Sequence, residues 1–153
     1  MNFCKDCHSC IKPCGREEGR MDWNTYFIKL AEAASLRSKD PKTQVGCVIV
    51  NSDNHIVSTG YNGLPPGFPD DPTNWLPGKK YFYVVHAEMN ALLHSTQYTK
   101  DCRLYTTLSP CGDCAKAICA AGISEVYYLI ERKDDITTEL FEGCGISCEQ
   151  VGG

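Results

Sequence analysis

The chain has 153 residues, of which 42% are hydrophobic, and a formal net charge of −4 at pH 7. This length suits one domain with a single core and is too short for two domains of ordinary size. The negative charge argues against a protein that binds duplex nucleic acid, and no apolar run approaches the roughly 20 residues that span a membrane.

The first residues of the chain do not have the charged and then apolar pattern of a signal peptide. We therefore expect a soluble, cytoplasmic protein. The chain contains 11 cysteines, and thiols in that compartment stay reduced. The cysteines accordingly indicate metal ligation before disulfides.

Residues 1–20 form a cysteine-rich segment ahead of a single domain over residues 21–153. The candidate soft ligands in this segment are Cys4, Cys7, His8, Cys10 and Cys14. Their spacing predicts a second, structural zinc site, which Cys144 or Cys148 could complete. The alternative is a frayed tail with surplus thiols, because no second C-x-x-C lies at zinc-finger spacing.

The first predicted helix starts after Asp22. Its apolar stripe consists of Trp23, Phe27, Leu30, Ala31 and Ala34. Asp22 and Asn24 are candidate caps, and Pro41 prevents the helix from running far past Lys39. Residues 37–43 then make a basic turn whose donors could hold a phosphate, although charged helix ends are usually only solvated.

Residues 45–50 and 55–60 are predicted to pair as an antiparallel hairpin around a turn at residues 51–54. Their apolar runs favour a sheet that is covered on both faces. Residues 61–69 follow as a long loop rich in glycine and proline. Long loops in compact domains tend to be functional.

The second half of the chain alternates helices with strands. The helix that starts at His86 is predicted to bury Met89, Leu92, Leu93 and Thr96, and His94 is expected at the surface. The helix from Cys111 to Gly122 is predicted to bury Ala115, Ile118 and Cys119.

The remaining elements complete an α/β fold. They are strands at residues 103–108, 126–130 and 146–150 and a helix at residues 136–141. The order predicts a three-layer α/β/α sandwich with a mixed five-stranded sheet, with helix N-termini meeting at one edge.

Two motifs carry the chemistry, His86-Ala87-Glu88 and Pro110-Cys111-Gly112-Asp113-Cys114. The spacing of Cys111 and Cys114 places both thiols on one face at a helix start, and His86 adds an imidazole. Three ligands and a free fourth position are typical of a catalytic zinc, which lowers the pKa of water to roughly 7. Glu88 is placed to serve as the general acid and base. The alternative is a pair of ordinary helix-start residues beside a redox pair or half of a zinc knuckle.

These two motifs match the signature of zinc-dependent nucleobase deaminases, and residues 23–128 resemble the deoxycytidylate (dCMP) deaminase family of the cytidine-deaminase-like fold. The resemblance also includes residues 37–41 (Arg-Ser-Lys-Asp-Pro), 44–46 (Gln-Val-Gly), 60–67 (Gly-Tyr-Asn-Gly-Leu-Pro-Pro-Gly), 86–91 and 108–116. The metal motifs alone also fit cytosine, guanine, riboflavin-precursor and tRNA-adenosine deaminases. The Gly-Tyr-Asn-Gly loop and the Arg-Ser-Lys-Asp-Pro turn narrow the choice.

The resemblance implies hydrolytic deamination of dCMP to dUMP for thymidylate synthesis, in a homohexamer that dCTP activates and dTTP inhibits. Its implied site residues are His86, Cys111 and Cys114 for Zn²⁺, Glu88 for proton transfer, Asn62 for the deoxyribose, and Ser38 and Lys39 for the 5′-phosphate. The effector is expected near Gly63 and Gly67, with Mg²⁺ accompanying its triphosphate.

Two departures from the family pattern stand out. No cysteine or histidine lies between Leu64 and Val85, where some relatives carry ligands for a second zinc. Residues 131–134 read Glu-Arg-Lys-Asp in place of an Asp-Lys-Tyr-His-like stretch, which leaves room for dCTP as a substrate besides dCMP. Two further alternatives are a deaminase of nucleic-acid cytosine or adenosine, which the acidic charge disfavours, and a non-catalytic zinc-binding module, which would have no use for Glu88.

Overall fold

The computed structural model describes residues 19–152. The second metal site predicted from Cys4, Cys7, His8, Cys10 and Cys14 lies outside the described residues. None of the described helices is long and apolar enough to cross a lipid bilayer.

A five-stranded sheet forms the centre of the molecule. Its strands are β1 (Gly46–Val50), β2 (Ile56–Tyr61), β3 (Arg103–Leu108), β4 (Glu125–Ile130) and β5 (Ser147–Gln150), in the order β2-β1-β3-β4-β5. Strand β1 runs antiparallel to β2 and β3, whereas β3, β4 and β5 are parallel. The predicted mixed sheet and the predicted hairpin are confirmed.

The helices are α1 (Trp23–Ser35), α2 (Lys80–Tyr83), α3 (Ala87–Leu93), α4 (Gly112–Ala120) and α5 (Asp135–Cys144). Helix α1 packs on one face of the sheet, and α3, α4 and α5 pack on the other. This arrangement confirms the three-layer α/β/α sandwich. The connection from β2 to α3 contains α2 and a short 3-10 helix, Pro72–Trp75, neither of which the sequence predicted.

Strand β1 is buried on both faces, as predicted. Cys47 and Ile49 pack toward α3 and α4, while Val48 and Val50 pack against α1. The same prediction is wrong for β2, where Ile56, Thr59 and Tyr61 are exposed. The physical reason is that β2 is an edge strand, so only some of its residues meet a neighbouring layer.

Helix α1 begins as predicted, with the Asp22 carboxylate accepting a hydrogen bond from the Thr25 N–H. It ends at Ser35, within the limit that Pro41 sets, because the next residues form tighter turns in which the N–H of Ser38 donates to the Ser35 carbonyl. Trp23 is 49% exposed and stacks on Phe27 at the start of the stripe.

The predicted buried stripe of α3 is wrong. Leu93 and Thr96 are exposed and Met89 and Leu92 are half-buried, whereas the buried residues are Ala87, Glu88 and Ala91. The helix lies with its small residues directly against Gly60 of β2, where an added Cβ would come within 2.3 Å of the Ala87 carbonyl oxygen. This close approach, and not the size of the apolar side chains, decides which face is buried.

Candidate active site

Two helix starts bring the predicted metal ligands together. His86 is the N-cap residue of α3 and Cys111 the N-cap residue of α4, both with extended backbone. Cys114 lies in the first turn of α4 and is buried. Because α3 and α4 pack on the same face of the sheet, their N-terminal ends meet there, as the element order predicts.

The three ligand atoms form a compact group. His86 Nδ1 lies 3.5 Å from Cys111 Sγ and 3.4 Å from Cys114 Sγ, and all three atoms lie within 4.8 Å of one another. Tetrahedral zinc with ordinary bond lengths places a nitrogen and a sulfur ligand about 3.6 Å apart. The group therefore has the donors and the spacing that zinc requires. Within residues 19–152 it contains no fourth histidine, cysteine or carboxylate ligand.

The two thiols share a hydrogen bond. Cys111 accepts hydrogen bonds from Cys114 and from His86, and these bonds lower the pKa of Cys111 to about 3 despite partial burial. The same hydrogen bond, burial and the nearby Glu88 raise the pKa of Cys114. A zinc ion at this group would bind both sulfurs as thiolates, so its binding would release thiol protons.

Glu88 is the buried acid beside this group. It lies in the first turn of α3 and is 4% exposed. Burial raises its pKa, although the charge of His86 opposes the shift. A carboxyl group with a raised pKa that is not itself a metal ligand is suited to general acid and base catalysis.

A cavity of about 430 Å³ opens onto Glu88 and His86. Three cationic residues, Lys42, Lys80 and Arg132, contribute to its wall. Its other lining residues are Asp40, Thr43, Val45, Asn62, Tyr81, Val84, Ala87, Leu108 and Glu131. Glu131 and Arg132, two of the four residues that depart from the family pattern, therefore line this cavity.

Asp40 organises one side of this cavity. Its carboxylate accepts hydrogen bonds from the backbone N–H groups of Lys42 at 2.8 Å and Thr43 at 3.0 Å. It also pairs with Lys80 Nζ at 2.9 Å, and both side chains are mostly buried. Sequence reasoning missed Lys80 because residues 78–80, Gly-Lys-Lys, look like an ordinary exposed turn. Its partner is 40 positions away in the chain.

Asn62 lies in the cavity wall, but its side chain is held by the protein. Asn62 Oδ1 accepts from the Val45 N–H at 2.8 Å, and Nδ2 donates to the Thr43 carbonyl at 2.9 Å and to Asp40 at 3.4 Å. These bonds tie the loop after β2 to the loop before β1. Contact between Asn62 and the deoxyribose stays a prediction.

The residues predicted to hold the phosphate, Ser38 and Lys39, do not line the cavity that contains Glu88. Ser38 is buried, and its hydroxyl donates to the Asn62 carbonyl at 2.8 Å. Lys39 is exposed and pairs with Asp70. It lines a separate cavity of about 210 Å³ together with Arg37 and Gly63.

The two glycines predicted near an effector differ in position. The backbone of Gly63 pairs with Val85, immediately before His86, and Gly63 lines the smaller cavity. Gly67 is exposed with a φ of +84°, a left-handed conformation that favours glycine, and it is not among the lining residues of that cavity. The loop therefore links the smaller cavity directly to the start of α3.

Comparison with known proteins agrees with this geometry. Residues 21–130 match the model of the cytidine and deoxycytidylate deaminase zinc-binding region. A probable deoxycytidylate deaminase of Caenorhabditis elegans is 49% identical over 123 residues, which are 77% of this chain and 62% of that protein. Human deoxycytidylate deaminase is 42% identical over 129 residues, 80% of this chain and 72% of the human protein.

Solved structures show the same relationship. The dCMP deaminase of the cyanophage S-TIM5 in apo form superposes with a TM-score of 0.71 and 32% identity, over 84% of this chain and 96% of the phage chain. Its complex with dCMP and dUMP gives a TM-score of 0.70 and 29% identity, over 93% and 100% of the two chains. The chain therefore belongs to the cytidine and deoxycytidylate deaminase family.

Proposed function

We propose that this protein is a zinc-dependent hydrolase that converts dCMP and water to dUMP and ammonia, supplying thymidylate synthesis. The observation that carries the proposal is the convergence of His86, Cys111 and Cys114 beside the buried, uncoordinated Glu88. The relatives named deoxycytidylate deaminase and the phage enzyme with bound dCMP and dUMP support this choice of substrate.

The chain's own groups account for the proton transfers. His86, Cys111 and Cys114 would hold the zinc ion, which supplies Lewis acidity and lowers the pKa of water. Glu88 accepts the proton of the attacking water and delivers it to the ring nitrogen of the pyrimidine. It then assists departure of the amino group as ammonia. Burial of Glu88 raises its pKa, which helps the carboxyl group to hold a proton between these steps.

The test is an assay of purified full-length protein for ammonia and dUMP formed from dCMP, run in parallel with dCTP, single-stranded DNA and tRNA. Selective turnover of dCMP is the expected result. Turnover of dCTP as well would extend the substrate range, and turnover of DNA or tRNA in place of dCMP would favour a nucleic-acid deaminase. If the protein binds zinc but releases no ammonia from any of these substrates, it is a non-catalytic zinc-binding module.

The substrate phosphate is assigned to the cations of the larger cavity, and Lys80 is the best placed of them. It is mostly buried and shares the cavity with Glu88. We expect Lys80→Met to raise KM for dCMP by about 10-fold or more, because it removes a charge-assisted hydrogen bond. KM for deoxycytidine, which has no phosphate, should rise much less, because only the loss of the pair between Asp40 and Lys80 affects both substrates.

The matched control is Lys39→Met. Lys39 lies in the smaller cavity and is exposed, so its replacement should change KM for dCMP by no more than about twofold. If Lys39→Met raises KM selectively and Lys80→Met does not, the sequence-based candidates Ser38 and Lys39 hold the phosphate instead.

We also propose regulation by dCTP as activator and dTTP as inhibitor, at the smaller cavity beside Gly63 and the loop containing Gly67. Support comes from the cationic side chains of Arg37 and Lys39 in its wall, which suit a triphosphate accompanied by Mg²⁺. Activity measured with each nucleotide, with and without Mg²⁺, tests this. Light scattering tests the associated proposal of a homohexamer.

The remaining proposals concern location and the N-terminal segment. The chain contains 11 cysteines, and two of them, Cys111 and Cys114, would have to stay reduced to bind zinc. This requirement supports a cytoplasmic location, where thiols stay reduced. Residues 1–20 are proposed as a segment distinct from the deaminase domain, with four of its soft ligands holding a second zinc. Fractionation of cells that express the protein tests the location.

A further inference from the structure

The loop that carries Cys111 is held by residues 130–137, which run from the end of β4 into the first turn of α5. On one side, the Ser109 N–H donates to the Ile130 carbonyl at 2.9 Å, and the Ser109 hydroxyl donates to the Arg132 carbonyl at 2.8 Å. On the other side, the Thr137 hydroxyl donates to the Pro110 carbonyl at 3.0 Å. Hydrogen bonds therefore hold Ser109 and Pro110, the two residues immediately before Cys111.

The fourth contact joins the starts of two helices through one carboxylate. Asp134 is the N-cap of α5, and its Oδ1 accepts from the N–H groups of Ile136 at 3.1 Å and Thr137 at 3.2 Å. Its Oδ2 accepts from the N–H of Gly112, the first residue of α4, at 3.0 Å. Gly112 and Asp134 are 22 positions apart, so this is not a local cap.

The position of Cys111 in the candidate metal site explains why α4 is capped from another helix. The first N–H groups of a helix need acceptors, which the side chain of the N-cap residue commonly provides. Cys111 holds the N-cap position of α4 but makes no side-chain cap hydrogen bond within the described chain, because its sulfur lies in the ligand group with His86. The Asp134 carboxylate supplies, from another helix, an acceptor for one of these first N–H groups, that of Gly112.

We propose that Asp134 is a positioning residue of the zinc site, which fixes the first turn of α4 so that both sulfurs stay within ligand distance of His86. The inference rests on the proposed zinc-dependent function. The packing agrees, since a Cβ added at Gly112 would lie 3.0 Å from Ile136 Cγ2. The starts of α4 and α5 are thus in direct contact at the residue that Asp134 holds.

The test separates the two roles of Asp134. Asp134→Ser retains a hydroxyl that can cap α5 but is too short to reach Gly112 as well. We expect its zinc affinity, measured by competition with a chromogenic chelator, to fall about 10- to 100-fold, as for other residues that orient ligands. The thiolate-to-cobalt absorption bands of the cobalt-substituted protein should also shift. Asp134→Asn has a single acceptor oxygen for the two helices, so its affinity should fall between those of D134S and the wild type.

The matched control removes a helix cap elsewhere. Asp22 caps α1 by accepting from the Thr25 N–H at 3.0 Å, and α1 lies on the opposite face of the sheet. Asp22→Ala should lower the melting temperature and leave zinc affinity and the cobalt spectrum unchanged. If both D134S and D134N keep the zinc affinity and the cobalt spectrum of the wild type, the inference about Asp134 is overturned and the proposed function is not affected. A wild-type protein that binds no zinc would overturn the proposed function together with it.

Discussion

His86 and Glu88 show how neighbouring residues take different roles at one site. Two residues at i and i+2 within a helix point to different sides, so a fully helical His86 would face away from the cavity that Glu88 reaches. His86 is instead the N-cap, with a ψ of 156°. This extended backbone turns the imidazole toward the cysteines while Glu88 stays buried in the first helical turn.

The first prediction follows from this division of roles. Glu88→Gln or Glu88→Ala should lower kcat by about 10²- to 10⁴-fold, because the proton-transfer group is lost while the three ligands remain. Zinc content measured on the same preparations should stay at the wild-type level. Loss of zinc in step with activity would identify Glu88 as a ligand and contradict the proposed roles.

Asp40 predicts a pH dependence of stability. Burial by itself raises the pKa of Asp40, but the backbone N–H groups of Thr43 and Lys42 and the charge of Lys80 outweigh it and leave the pKa below its usual range. A lowered pKa in the folded state stabilises the protein above the unfolded pKa of about 3.9. This contribution is lost as pH falls through the folded pKa.

The measurement compares urea unfolding of the wild type and Asp40→Asn from pH 7 down to pH 3. The wild type should be the more stable at pH 7, and the difference should shrink below about pH 4. The other ionisable side chains lining the cavity, including Lys42, Glu131 and Arg132, are the same in both proteins and cancel in the comparison. A difference independent of pH would show that Asp40 acts only through packing.

At the scale of the element, Gly60 sets the position of α3. An added Cβ would come within 2.3 Å of the Ala87 carbonyl oxygen and 2.5 Å of the Ala91 N. Both contacts are with backbone, so the whole helix must move to relieve them. Because His86 is the N-cap of α3 and Glu88 lies in its first turn, such a movement displaces the candidate metal ligand and the acid together.

We therefore expect Gly60→Ala to destabilise the protein by about 1–3 kcal/mol or more and to lower zinc affinity in the molecules that remain folded. Gly143→Ala is the control, since that glycine lies inside α5 with no atom within 4 Å of an added Cβ. It should be neutral or stabilising by up to about 1 kcal/mol. Thermal unfolding and chelator competition measure both effects, and a wild-type-like G60A would show that α3 tolerates displacement.

At the scale of the whole molecule, the N-terminal segment and the domain should bind metal independently. We predict about two zinc ions per full-length chain and about one after removal of the first 15 residues, because the two ligand sets do not overlap. Metal analysis of both proteins, with deaminase activity measured alongside, checks this. Equal zinc content would assign all the metal to His86, Cys111 and Cys114.

Much of the fold and the ligand set was predictable from the sequence by itself. The helix that starts near Cys111, the five strands and the candidate ligands follow from local spacing and periodicity, which act over a few residues. The same reasoning failed for the buried face of α3, because the face is chosen by contact with Gly60 and not by the helix's own apolar residues.

The tertiary structure alone decided which charged groups lie beside Glu88 and the start of α4. Lys80 rather than Lys39 shares a cavity with Glu88. Asp134 caps both α5 and α4, the helix that starts at Cys111 and contains Cys114. The hydrogen bond between Gly112 and Asp134 spans 22 positions of the chain, and the pair of Asp40 and Lys80 that places Lys80 in the cavity spans 40. Local patterns carry no information about such pairs, because the contacts exist only after the sheet has brought separate loops and helices to one edge.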